Sequence, residues 1–424
     1  MMGGLLKNLF WSGGMIALIL WYVFVVKFMV GTGFVYEGNF LYVDKMVLGL
    51  VLLMVGVWVL MIGVYGRDYS ALWGKEVWVS GVLVLLLGVV FVVDSWLGFY
   101  LVYEGSVVPL MVGVVLFGGY YERLGSVLYL LVYMVMFSVP LVVVVLVCLG
   151  EGESLKMGSW GLFWVGGWVL VLVLLSLLVK VPIYGLHSWL PKVHVEAPTW
   201  GSVVLAAVMI KMGVYGLWRL RGESVWVVGL GDVFWLWALL GALVGCLLCL
   251  MSSDFKMVVA YSSVVHMGGV VWLGGYGLVS GWRGLLVVML MHGVVSGGLF
   301  MMAGSMGDLS QSRSLVLIGG LVDFLSVWGL LLIVGLVLNA GFPLSGNMLG
   351  ELEILMGVWG MWSWGWVLIG LMMFLGCLFN MYVVMVLMSG GFDESSGIML
   401  GVVVASGVMM VFSVGGLIYG GLMM

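Results

Sequence analysis

Six ionisable residues stand inside apolar runs where lipid would normally exclude them. Glu104 lies in SWLGFYLVYEGSVVPLM, Lys180 in LLSLLVKVPIYGL, Lys211 in VVLAAVMIKMGVYGLW, His266 in VVAYSSVVHMGGVVW, His292 in LLVVMLMHGVVSGG and Glu351 in PLSGNMLGELEIL. At about 1.5 Å per helical residue, Glu104 is roughly 12 Å into its run, near the centre of a bilayer. A charged side chain there opposes insertion by about 2.5 to 3.5 kcal/mol, so the four carboxylates and ammoniums together oppose it by roughly 10 to 14 kcal/mol. Facing them inward, where opposite charges pair and water enters, relieves that cost. A carboxyl or ammonium withdrawn from water can exchange its proton near neutral pH, and an imidazole does so unaided. A file of Glu, Lys, Lys, His, His and Glu is therefore what a water-linked proton relay requires. Its coupled members would titrate as a unit.

Each residue also has a plainer reading. Glu104 and Lys180 can form a static ion pair between two helices. Lys211 can snorkel to the interface. His266 and His292 can be neutral rings bonded to carbonyls, and Glu351 can cap the amides of a helix start. Lys27 reads as interface snorkelling and Glu353 as the wet end of its segment, so neither is placed in the relay.

The elements that must hold these residues are helices in a membrane. Of 424 residues 64% are apolar and only 8% are charged, whereas a soluble domain carries roughly a quarter. A mean hydropathy of +1.30 excludes disorder as well. Charged and turn-rich stretches divide the chain into about thirteen spans, near 9–30, 46–64, 77–93, 96–117, 126–149, 160–190, 200–220, 231–251, 255–278, 284–304, 318–357, 361–388 and 398–422. No soluble domain fits between them, and 1–424 reads as one all-α polytopic membrane domain. The first run is too long for a signal segment and lacks a small-residue cleavage site, so it reads as a mature helix.

The spans 160–190 and 318–357 exceed one regular helix and contain Pro182 and Pro343. Both are expected to be broken helices, whose freed backbone groups survive only when buried in protein or lining a wet cavity. Interrupted helices at matching places in two halves point to inverted repeats. The expected repeats are 77–220 and 231–388. Gly241 and Gly245 form a small-residue face for close helix approach.

The bulk numbers exclude other functions. A formal charge of −4, spread over short loops, gives no surface for nucleic acid and no polybasic patch for anionic lipid. All four cysteines lie in apolar runs; Cys246 and Cys249 make a C-x-x-C with no second pair, which does not suffice for a metal cluster. No metal or cofactor site is expected in this chain. Alternation of the loops puts Lys7, Arg67, Lys75, Arg123, Lys192, Lys256 and Arg313 on one side, against Lys45, Lys156, Arg219, Arg221 and Arg283, which weakly favours the first side as cytoplasmic or matrix. Heavy use of Gly, Val, Met and Trp, with codons rich in G and T, suggests coding in a small organelle genome.

Several of these stretches are similar to one family. VKVPIYGLHSWLPKVHVEAPTWGSVVLAAVMIKMGVYGLWRL (179–220) carries the ordered K-x-P, H-x-W-L-P-K-x-H-V-E-A-P and A-A-V-x-x-K run, supported by YERLGSVLYLLVYMVMFSVPLV (121–142), SDFKMVVAYSSVVHMGG (253–269), MHGVVSGGLF (291–300) and GNMLGELEIL (346–355). From about Asp94 to Leu355 the chain resembles the antiporter-like membrane subunits of respiratory complex I, the mitochondrial NADH:ubiquinone oxidoreductase. The resemblance implies that Glu104 and Lys180 are the input pair, that Lys211, His266 and His292 connect, and that Glu351 is the exit group. It also implies other membrane subunits as partners, neighbouring antiporter-like ones among them, and lipids and protons as ligands. NADH, FMN, iron–sulfur clusters and ubiquinone are implied in partner subunits, and the inner mitochondrial membrane as location. The family usually has about fourteen spans, and Trp200 departs from its usual small residue.

Two other functions compete. A subunit of a multisubunit cation/proton antiporter would share the broken-helix plan; the stretch 121–142 argues for the respiratory subunit. A haem-bearing quinol oxidoreductase would need axial histidine pairs, and His187, His194, His266 and His292 offer one pair at most. The absence of a strand-borne G-x-G-x-x-G excludes nucleotide binding here.

Overall fold

The computed structural model describes residues 36–37, 41–65, 71–119, 121–150, 155–157, 167–220, 227–274, 279–310, 312–319, 326–343, 345–358 and 365–389. The expected spans 9–30 and 398–422 lie outside them. A hairpin of β1 (Tyr36–Glu37) and β2 (Tyr42–Val43), in which Tyr36, Tyr42 and Val43 are of the aromatic and β-branched types that favour strands, is a local exception to the helical expectation.

Helices then follow in order. α1 (Lys45–Tyr65) starts where Asp44 Oδ1 accepts the Val47 amide at 2.8 Å, satisfying one of the donors a helix start leaves free. α2 is Ala71–Val92. α3 (Trp96–Gly105) and α4 (Val107–Phe117) form one span divided at Ser106, because Pro109 brings no N–H to the Gly105 carbonyl. α5 is Arg123–Gly150. The first broken helix comprises α6 (Gly167–Lys180) and α7 (Trp189–Glu196). α8 (Thr199–Leu220) carries a π-turn at Leu205–Met209.

The second half also contains a broken helix. α9 is Val227–Met251, α10 Phe255–Gly274 and α11 Val279–Ser310. A short α12 (Leu315–Ile318), absent from the sequence expectation, precedes the second broken helix, α13 (Ser326–Asn339) and α14 (Gly346–Val358). α15 is Gly365–Met388. Every expected span between 46 and 388 is thus met by a helix or a broken helix. Among the described residues, nine helices are long and apolar enough to cross a membrane, and Val171–Lys180 and Gly329–Asn339 are shorter apolar pieces.

Both breaks fall at the expected prolines and each contains a glycine with positive φ, Gly185 at 92° and Gly341 at 70°, which only glycine adopts cheaply. The first is tied down: Trp189 Nε1 donates to the Val179 carbonyl at 3.0 Å, and the Ser188 hydroxyl donates to Tyr133 Oη at 2.8 Å.

Burial separates inner helices from outer ones. In the spanning windows of α8 and α10, 83% of residues are buried, and in α11 72%, against 33% for α2 and α5. The helices carrying Lys211, His266 and His292 therefore face protein and not acyl chains. Small residues bring them together: Gly241 packs on Tyr184, a Cβ on Gly245 would lie 3.0 Å from Val265, and one on Gly268 would lie 2.9 Å from the Ala238 carbonyl. α11 and α14 cross through Gly284 and Gly350, where a Cβ on either would come within 3 Å of the other's carbonyl.

Candidate functional site

Lys180 ends α6 at the first break. Its ammonium donates to the Tyr103 carbonyl at 2.7 Å, lies 3.5 Å from Glu104 Oε1 and sits 3.0 Å from the centroid of the Tyr103 ring. The division at Ser106 explains the acceptor: the Ser106 hydroxyl and Lys180 share a carbonyl at a helix end. Tyr103 also donates its hydroxyl to the Ser176 carbonyl at 3.3 Å, holding the last turn of α6 from both sides. The pair is lopsided, with Lys180 3% exposed and Glu104 20%.

Lys211 is fully buried on α8. Its ammonium folds back to the Ala206 carbonyl, five residues earlier, where the wider π-turn leaves a carbonyl available; π-turns of this kind recur at functional sites. The snorkelling alternative is thereby excluded. Gly213, two residues on, would place a Cβ 2.5 Å from Val181 and 2.7 Å from the Leu177 carbonyl. α8 thus touches α6 beside Lys180.

On α11, a Cβ at Gly293 would lie 3.1 Å from the Ala207 carbonyl, so His292 borders the π-turn that holds Lys211. His292 is fully buried and neither ring nitrogen has a partner among the described residues, which argues against the carbonyl-bonded alternative. Its ring centroid is 5.2 Å from that of His266, at 53°. No porphyrin fits between rings so close, and the haem reading has no pair left. His266 Nδ1 meets Glu351 Oε1 at 2.9 Å, linking α10 to α14. Glu351 is not a helix cap: that place belongs to Ser345, whose hydroxyl accepts the Met348 amide at 3.2 Å.

Glu104 and Lys180 thus meet at one end, and His292, His266 and Glu351 at the other. No direct hydrogen bond joins Lys180 to Lys211, or Lys211 to His292. Protons crossing those two intervals would need water.

Sequence reasoning missed a polar group at the face that carries Lys192, Lys256 and Arg313. Glu196, at the end of α7, pairs with Arg313 at 3.4 Å. A cleft of about 550 Å³, lined by Glu122, Tyr129, Lys192, Glu196, Asp254 and Arg313 among others, lies on one side of the pair. A second, about 400 Å³, is lined by residues including Lys256, Asp308 and Arg313. His194 lies deeper, fully buried, stacked 4.3 Å on Phe300, with no partner at either nitrogen among the described residues and within electrostatic reach of both Lys256 and Lys211. The motif H-V-E-A-P contained both His194 and Glu196, but outside an apolar run neither looked misplaced. The opposite face gathers Asp44 and Arg219 (3.4 Å), and Lys156 bridged to Ser95.

Trp200 has a physical account here. Its ring packs on Gly113 of α4 and edge-on to Phe117 at 6.4 Å; the glycine makes the room the indole occupies.

Comparison with known proteins gives the family. Residues 93–379 match the family described as NADH:quinone oxidoreductase/Mrp antiporter, transmembrane. The NADH-ubiquinone oxidoreductase chain 4 of Rhipicephalus sanguineus is 33% identical over 328 residues, covering 76% of this chain and 73% of its own. That of Ceratitis capitata is 33% identical over 370 residues, covering 85% and 81%. A chain in the structure of respiratory complex I from Thermus thermophilus with bound NADH superposes with a TM-score of 0.78 over 97% of this chain and 95% of that one, at 21% identity, a likeness of fold. With broken helices at the expected prolines and the matches above, the chain belongs to the NADH:quinone oxidoreductase/Mrp antiporter transmembrane family.

Proposed function

We propose that this chain is a proton-translocating membrane subunit of an NADH:ubiquinone oxidoreductase, multi-pass in the inner mitochondrial membrane, carrying no redox centre itself. Partner subunits, neighbouring antiporter-like ones among them, supply NADH oxidation through FMN and iron–sulfur clusters and reduce ubiquinone. The relatives named NADH-ubiquinone oxidoreductase chain 4 support this assignment, and no observation favours the cation/proton antiporter alternative.

Glu104, Lys180, Lys211, His292, His266 and Glu351 are the relay, and 77–220 and 231–388 its two repeats. The observation that carries the reading is the side-chain pairing at each end of the file, Glu104 with Lys180 at 3.5 Å and His266 with Glu351 at 2.9 Å. At 3.5 Å and an effective dielectric of about 20, unit charges attract by about 5 kcal/mol. Neutralising or moving Glu104 releases that attraction and frees the Lys180 proton to pass by water to Lys211, then through the imidazoles to Glu351. Each arrival changes the charge beside the next group, which is how a signal at one end reaches the other.

The test is NADH-driven acidification of inside-out vesicles carrying the intact complex of a tractable homologue. Glu104→Ala or Lys180→Ala should abolish the contribution of this subunit while the complex still assembles; full pumping in both variants would refute the relay.

A further inference from the structure

The two breaks differ in one residue that the relay does not use. Lys180 closes the half-helix before the first break, and Asn339 closes the half-helix before the second. Where the first break presents an ammonium to a carboxylate, the second presents an amide. The Asn339 amide donates to Asn380 Oδ1 at 3.3 Å, and Asn380 donates to the Gly376 carbonyl at 2.9 Å. Asn347 donates to the Leu338 carbonyl at 3.4 Å, next to Asn339. Asn347 stands four residues before Glu351 on α14, on the same helix face. The Glu351 carboxylate itself lies against Gly341, where a Cβ would be 2.9 Å from Oε2.

All three asparagines are 1% exposed, and among the described residues no group donates to Asn339 Oδ1 or Asn347 Oδ1. A buried amide oxygen without a donor is costly, and two such oxygens on the residues flanking the break against which Glu351 lies are polar partners that a bound water can use.

We propose that the second break is a water-binding site, in which Asn339 and Asn347 hold water against Glu351 and so form the outlet of the relay. This rests on the relay reading above. Protonated Glu351 gives its proton to that water, which passes one of its own to the next water outward; no bond other than O–H is made or broken. The amides accept hydrogen bonds from the water without titrating, so they fix its position and add no charge to trap the proton.

Two measurements on the intact complex test this. The first is a map of the complex at a resolution that shows water. Ordered density within hydrogen-bond distance of Asn339 Oδ1 or Asn347 Oδ1 and of the Glu351 carboxylate is expected, and a break packed by side chains alone overturns the proposal. The second is pumping per electron. Asn347→Leu, which matches the shape without holding water, should lose the contribution of this subunit, and Asn347→Ser should restore much of it. Equal pumping by Asn347→Leu and wild type overturns the water site alone, provided Lys180→Ala still fails. If Lys180→Ala also pumps fully, the relay itself is wrong. Where Asn347→Leu does not assemble, the map decides.

Discussion

The imidazole of His266 and the carboxylate of Glu351 meet at 2.9 Å, joining a continuous helix to the second half of a broken one. The contact serves as a structural tie and as a proton path, and substitution separates the two. His266→Gln keeps a hydrogen bond to the carboxylate but has no second nitrogen to pass a proton. We expect it to assemble normally and to lose pumping through this subunit, measured as protons moved per NADH. His266→Leu leaves Glu351 buried without its partner and should destabilise the subunit by about 3 to 5 kcal/mol, read as a lowered dissociation temperature of the complex.

Lys211 makes a sharper case. Arginine keeps the positive charge but does not release a proton in a protein. Lys211→Arg should therefore pump no better than Lys211→Met, despite retaining charge. Wild-type pumping by the arginine variant would show that Lys211 acts by its field and not by its proton.

Trp200 and Gly113 should behave as one unit. Removing the indole leaves a cavity, so Trp200→Ala should cost about 3 to 5 kcal/mol. Gly113→Ala crowds the ring and should cost about 1 to 3 kcal/mol. In the Trp200→Ala background the Gly113→Ala penalty should disappear, a coupling that thermal unfolding of the four variants in detergent would measure.

Arg313 lines both clefts and Glu196 lines the larger one. Arg313 is 29% exposed, so their attraction is partly screened and contributes little to stability. Glu196→Gln should leave the unfolding temperature within a degree or two while slowing proton delivery, seen as a reduced rate of NADH-driven acidification. An unchanged rate would show that this pair takes no part in proton delivery.

The sequence was legible wherever a residue broke the apolar pattern. Glu104, Lys180, Lys211, His266, His292 and Glu351 stand out because lipid makes them expensive, and Pro182 and Pro343 because they interrupt runs too long for one helix. What pairs with what was less legible. The π-turn under Lys211 has no signature in LAAVM; only the fold shows that it lies against α11 at Gly293. His194 and Glu196 sit in a polar stretch where charge is ordinary, so only their burial marks them. Trp200 looked anomalous because the space it fills belongs to a glycine 87 positions earlier in the chain. Ser106, which divides a span at Glu104, was foreshadowed only by Pro109.

Gly284 and Gly350 bring two backbones into contact one residue before Glu351. A segment pinned at that spot can rock only about the pin, so its ends swing while the neighbouring acid hardly travels. Glu351 thus sits at a fulcrum, and the short reach to His266 survives motions of α14 that would separate groups mounted farther along the lever.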